Sequence, residues 1–343
     1  MDVNEAELPL EEQAPITTFQ DYMPKPKPPA PMRYIGQLAT LIGLTGAGLI
    51  VAGIASVIVL AIMKGGNFLS LTSTDIMKPG FANINKVLQI VTTLFLFFVP
   101  AFFFALIVNR KPLQYLGFNT KVSAKQLALV ILIAFTGLFL SGVLGEINQL
   151  IPISKSARVY FQKLEDNYID EILAMAQMHS VADYLLGLLI IALAPAILEE
   201  VFFRGALQNL LTRWIKKPWI AITITSIVFS LVHISYFGFL PRFMLGVVLG
   251  LLFYYSKNIW TNILAHFLNN AIAVTQIYML SLSGKIDKKA LADLDKAQAS
   301  GWIFLVLGII SSIAMIAWLY FFKKESESTL TKQSIVNAEN TFA

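Results

Sequence analysis

The chain has 343 residues, of which 56% are apolar and 14% charged, against about 45–50% and about 25% in an average soluble domain. This balance excludes an ordinary water-soluble fold, and the net charge of +5 does not point to nucleic acid, because basic residues flank apolar stretches singly or in pairs, as in Arg110-Lys111 and Lys323-Lys324. Cysteine is absent, which excludes disulfides, thiolate metal sites and cysteine nucleophiles.

Residues 1–32 are acidic and then proline-rich (Pro24, Pro26, Pro28, Pro29, Pro31), without the basic start and short apolar core of a signal peptide. They read as a disordered cytoplasmic tail. A helix needs roughly 20 apolar residues to cross the bilayer core. Spans of that kind are predicted at about Ile35 to Met63, Ala82 to Val108, Gln126 to Leu150, Tyr184 to Leu207, Trp219 to Ile234, Arg242 to Tyr255, Ile259 to Leu282 and Trp302 to Phe322. The fold class is therefore all-α, a polytopic transmembrane helix bundle of about eight spans. The fifth span is interrupted by Thr223, Thr225 and Ser226 and the sixth is short, so seven spans plus a re-entrant piece is the alternative.

The N-terminal transmembrane helices occupy 33–153. There Gly43, Gly46, Gly48 and Gly53 read as positions of close helix packing. Residues 154–180 are too charged to cross but carry Val159, Leu164, Tyr168, Ile172 and Met175 at helical spacing, which predicts an amphipathic connecting helix, either solvated or acting as a lid. His179 at its end reads as a surface residue. The expected polar-lined core is 181–283, followed by a loop at 284–301, the last span at 302–322 and a C-terminal tail at 323–343. The balance of Lys and Arg favours both termini in the cytoplasm and a plasma (inner) membrane location, although Lys285 to Lys296 pulls the other way.

Charged residues inside spans are costly and therefore candidates for function. The fourth span holds Glu199, Glu200 and Arg204 just after Pro195. On a helix Glu200 and Arg204 share a face and can pair, whereas Glu199 points about 100° away. Taken alone, this is equally a buried ion pair with an interfacial glutamate beside it. Pro195 predicts a kink one turn before the glutamates. Two of the three histidines, His233 and His266, also fall in spans. Glu200 and His233 flank the interfacial turn Trp214-Ile215-Lys216-Lys217-Pro218-Trp219, and at about 1.5 Å per residue both lie roughly 20 Å from it, so an antiparallel pair brings them to one depth. His266 lies only about 10 Å into its own span and needs tilt to join them. Asn270 is one turn beyond His266 on the same face, and Asn269 points elsewhere.

Together these residues resemble the CaaX protease and bacteriocin-processing (Abi, or CPBP) family of intramembrane proteases, which includes the type II CaaX prenyl endopeptidases. The family's two glutamates, three residues and arginine are matched by Glu199, Glu200 and Arg204; its Phe-x-x-x-His by Phe229 and His233; its His-x-x-x-Asn by His266 and Asn270. The likeness runs from about Val181 to Tyr278. It implies an intramembrane endopeptidase in which Glu199 and His233 activate a water, His266 and Asn270 stabilise the oxyanion, and Glu200, Arg204 and Phe229 support the site. It equally implies a metalloprotease alternative, with one zinc ion on Glu199, His233 and His266; no His-Glu-x-x-His motif decides between them. The expected partners are the lipid bilayer and a membrane-associated peptide or protein substrate, prenylated or bacteriocin-like, and no nucleic acid. A non-catalytic scaffold or bacteriocin-immunity-type protein, or a transporter using the polar cavity, are the competing functions; a transporter would be expected to show repeated halves, and none is visible in the sequence.

Overall fold

The computed structural model describes residues 33–64, 79–118, 121–175, 178–284, 286–294 and 302–342. The expected 1–32 tail and parts of the 284–301 loop lie outside these. Helix α1 is Tyr34–Lys64, α2 is Ala82–Val108, α3 is the single turn Pro112–Tyr115, and α4 is Ala124–Leu150. Helix α5 (Lys155–Met175) is the amphipathic connector, and α6 is the long Val181–Ile215. Then follow α7 (Pro218–Leu231), α8 (Phe239–Ser256), α9 (Ile259–Leu282), α10 (Lys288–Leu294) and α11 (Trp302–Phe342).

Local chemistry sets several of these boundaries. Ser123 and Gln126 form a reciprocal capping box that opens α4, and Ser180 and Asp183 do the same for α6. Pro218 sits in the first turn of α7, where its missing N–H costs nothing, and Asn258 accepts from the Trp260 N–H to start α9. Lys216, in the left-handed conformation at φ 57°, reverses the chain between α6 and α7.

Seven helices are long and apolar enough to cross a bilayer. The fifth predicted span, α7, has only 14 residues and is not among the seven, so the count of eight exceeds by one the helices long enough to cross. At one end of the bundle, Tyr34 stacks on Trp214 with 6.4 Å between ring centroids, Asn258 reaches the Lys121 carbonyl, and Ser123 bonds to Glu325. The starts of α1, α4 and α9 and the Glu325 turn of α11 therefore share one end with the Lys216-Lys217 turn. The expected tail at 323–343 is helical, α11 continuing without a break. Its polar continuation is held by α4, where Lys125 pairs with Glu325 at 3.4 Å and Gln126 donates to Ser326.

The outside of the bundle is apolar: Ile62, Leu150 and Ile316 are 78%, 79% and 69% exposed, as befits side chains that meet lipid. Inside, one apolar core gathers Leu41, Phe104, Leu116, Phe203, Leu210 and Phe229, and another joins α4, α8 and α11 through Ile133, Leu249 and Phe322. Of the four α1 glycines, only Gly48 meets a neighbour: a Cβ there would collide with the Phe95 carbonyl oxygen, whereas Gly43, Gly46 and Gly53 have nothing close among the described residues. The tightest approach relevant to the site is between α7 and α8, where a Cβ on Gly246 would lie 2.9 Å from that of Ser226 and one on Gly250 would press on Ile222.

Candidate active site

Helix α6 is α-helical around the glutamates and wider on both sides. Leu188–Leu193 and Val201–Gln208 are π-helical and bracket the short α segment Ala194–Glu200. Pro195 explains the first widening: it offers no N–H, and its ring crowds the carbonyl one turn back, so the preceding backbone opens. Wide turns of this kind recur at functional positions because they re-aim side chains within an otherwise regular helix.

Glu200 is the hub. It is 0% exposed and accepts from Arg204 Nη1 at 2.8 Å, the pairing that their spacing predicted. Arg204 Nη2 donates onward to the Gly246 carbonyl at 3.2 Å, a contact that the close α7–α8 seam places within reach. His266 Nδ1 lies 2.9 Å from the same Glu200 oxygen. Asn262 donates to the Leu249 carbonyl and stands 3.4 Å from the other Glu200 oxygen. A carboxylate that serves an arginine and an amide is an acceptor, so the proton between it and His266 resides on Nδ1, and Nε2 is the ring atom left for chemistry.

Glu199 is different: its buried Oε2 has no hydrogen-bond partner. Its charge is within electrostatic range of His266, Glu200, Arg204 and Arg242. An unpaired polar atom shielded from bulk water is costly, and each such atom needs a reason.

His233 was expected inside the fifth span but lies just beyond it. Helix α7 ends at Leu231, and the chain turns through Ile234 at φ 50°. The His233 Nδ1–H donates to the Phe229 carbonyl at 2.7 Å, capping the helix end. Phe229 is the wall that joins the components. Its ring centroid is 4.9 Å from that of His233 and 5.8 Å from that of His266, and the Arg204 guanidinium lies over its face at 4.8 Å. No hydrogen bond joins Glu199 to His233 among the described residues. Any joint action of the two needs a molecule between them.

Asn270 is half-buried on the His266 face of α9. The Asn269 amide is 3.4 Å from Asn270 Oδ1. His179 is exposed, with its backbone N–H on Asp183. Among the described residues no three His, Asp or Glu side chains gather as a metal-binding group; a zinc ion would draw on Glu199, His233 and His266. Both Nδ1 atoms are committed, one to Glu200 and one to a carbonyl.

Two residues near the site escaped the sequence reading. Asn262 precedes His266 by one turn, so a stripe at i, i+4 and i+8 through Asn270 was available as a signal. Arg242 entered the sequence reading only as the first residue of the sixth span, yet it lies in the first turn of α8 within electrostatic range of both Glu199 and His233.

Residues 181–272 match the family model described as Type II CAAX prenyl endopeptidase Rce1-like. No curated protein and no solved structure gave a match. The matched segment runs from the start of α6 into α9 and contains Glu199, Glu200, Arg204, Phe229, His233, His266 and Asn270. It supports intramembrane protease activity in general terms. Within an all-helical integral membrane bundle, residues 181–272 are thus similar to the Rce1-like type II CAAX prenyl endopeptidases.

Proposed function

We propose that the protein is an intramembrane endopeptidase of the plasma membrane, both termini cytoplasmic, which hydrolyses a peptide bond near the membrane with a water activated by Glu199 and His233. The observation that carries this reading is the buried, unpartnered Glu199 Oε2 beside a histidine oriented by a second carboxylate. The nucleophilic water fills the place between Glu199 and His233. Its proton passes to Glu199 Oε2 as its oxygen bonds to the substrate carbonyl carbon. The carbonyl oxygen takes up the negative charge, which is met by the Asn270 amide and by His266 in its doubly protonated form, whose Nδ1–H is held by Glu200 and whose Nε2–H donates to the oxyanion. Collapse breaks the C–N bond, and the departing amine takes the proton from Glu199. Donors of this kind typically contribute about 10²–10³ each in rate.

Glu200, Arg204 and Phe229 act as positioning residues. The substrate that fits the matched family is a prenylated carboxyl-terminal peptide, with a bacteriocin-like leader as the second class to test. No step passes through zinc. The test is cleavage of a quenched prenyl-peptide and of a general membrane peptide by purified wild type, Glu199→Ala and His233→Ala. Loss of turnover in both variants is expected, with wild-type turnover indifferent to a zinc chelator. Equal turnover in all three proteins would refute the reading, and loss on chelation restored by zinc would replace it with a metal route.

A further inference from the structure

Arg242 is the charge near the site that the scheme above does not use. It stands in the first turn of α8, half-buried, and its Nη1 is buried without a hydrogen-bond partner. No carboxylate pairs with it among the described residues. This contrasts with Arg204, whose two terminal nitrogens are engaged by Glu200 and the Gly246 carbonyl. Arg242 is nonetheless held in place. Its guanidinium lies over the Tyr168 ring of α5 at 5.4 Å, and it folds back against Gly238, where a Cβ would overlap Nη1. The neighbouring turn is pinned as well: Ser235 donates to Glu165 at 2.8 Å, and Phe161 stacks on Tyr236 at 4.7 Å. Glu165 Oε2 thus accepts from Ser235.

A fixed, partly desolvated guanidinium without a counter-ion is suited to an incoming anion. Arg242 is on α8 one turn before Gly246, whose carbonyl Arg204 holds, and lies within electrostatic range of Glu199 and His233, which restricts which anion that is. A cleaved peptide passes its carbonyl between those two side chains, so an anion reaching Arg242 at the same time belongs to the same peptide, within a few residues of the cleaved bond.

We infer that Arg242 forms a subsite for the free carboxylate at the carboxyl terminus of the substrate, which sets the distance from that terminus to the bond cut. This rests on the endopeptidase reading and adds to it the residue that recognises the substrate's end. Arg242 is a specificity-determining residue, and carboxylate binding by it does not require cleavage to occur.

The experiment measures binding, with cleavage read separately. The probes are a fluorescent farnesylated tetrapeptide with a free carboxylate and its carboxamide twin, added to full-length Glu199→Gln protein in lipid nanodiscs. Charge-assisted hydrogen bonds predict a preference for the acid of roughly ten- to hundred-fold. The preference should vanish in the Glu199→Gln/Arg242→Gln protein and return in part with Arg242→Lys. Gly238→Ala, at a φ of −95° that alanine accepts, keeps the arginine but displaces its guanidinium, and should also weaken the preference. Equal binding of acid and amide, or an Arg242→Gln loss that falls equally on both probes, would overturn the inference. Wild-type cleavage without acid preference sinks the subsite alone; acid preference without cleavage sinks the endopeptidase reading and, with it, the subsite's role in setting the bond cut, leaving only carboxylate binding by Arg242.

Discussion

Replacing Arg204 with methionine removes a cation while leaving Glu200 fully buried, and the structure fixes what that costs. Both side chains are 0% exposed, so the orphaned carboxylate cannot turn to water, and breaking one partner of such a pair typically costs about 3–5 kcal/mol. The loss of the guanidinium over Phe229 adds about 0.5–2 kcal/mol. The double variant Glu200→Gln/Arg204→Met leaves no buried charge in that pair, so its destabilisation should fall short of the sum of the two single changes by about 2 kcal/mol or more. Equilibrium unfolding in detergent micelles, followed by tryptophan fluorescence for the wild type, both single variants and the double, gives the coupling. Additive effects, or a single-variant loss below about 1 kcal/mol, would show that the pair does not carry the buried charge balance argued here.

Other outcomes follow from the same geometry. Asn262→Leu removes the amide near Glu200 and leaves the Leu249 carbonyl without that donor; stability should fall by about 1–3 kcal/mol and kcat should drop with KM little changed, read from unfolding and steady-state kinetics. Burial, opposed by Arg213, raises the Tyr115 hydroxyl from 10.0 to about 12. The folded protein then keeps a proton that the unfolded chain loses near 10, so stability present below 10 is lost as pH rises toward 12, and Tyr115→Phe should remove that alkaline loss in a pH series of melting curves. Because the chain has no cysteine, Lys217→Cys and Ser283→Cys are clean reporters: an impermeant maleimide added to intact cells should label the second and not the first, and the reverse pattern would invert the proposed orientation.

Much of this architecture was legible from hydropathy. Ala82–Val108 and Ile259–Leu282 begin and end where the apolar runs do, because lipid leaves the backbone no alternative to helix. The Glu200–Arg204 pair was legible from i,i+4 spacing. The choice of Glu200, and not Glu199, as the partner of His266 was not: spacing gives the angle between adjacent carboxylates but not which of them faces a distant helix. The depth arithmetic also placed His266 too shallow. Yet His266 Nδ1 reaches Glu200 at 2.9 Å, a meeting that a residue count along a single helix does not capture. The charged stretch after Lys323 looked like a tail because its partners, Ser123 and Lys125, are some 200 residues away in sequence. Arg242 was missed because an arginine at the edge of a span is ordinarily a snorkelling flank.

The shortness of α7 also bears on the bilayer itself. Fourteen residues rise about 21 Å, well under the roughly 30 Å of a hydrocarbon core. Lipids against this helix must shorten or tilt to match it, drawing the headgroup layer inward beside the turn that holds His233. The expected result is an aqueous boundary closer to the histidine at that face, which turnover in bilayers of graded acyl-chain length would reveal. Such a dimple gives water a short route to a site otherwise sheltered by hydrocarbon, and makes turnover sensitive to acyl-chain length.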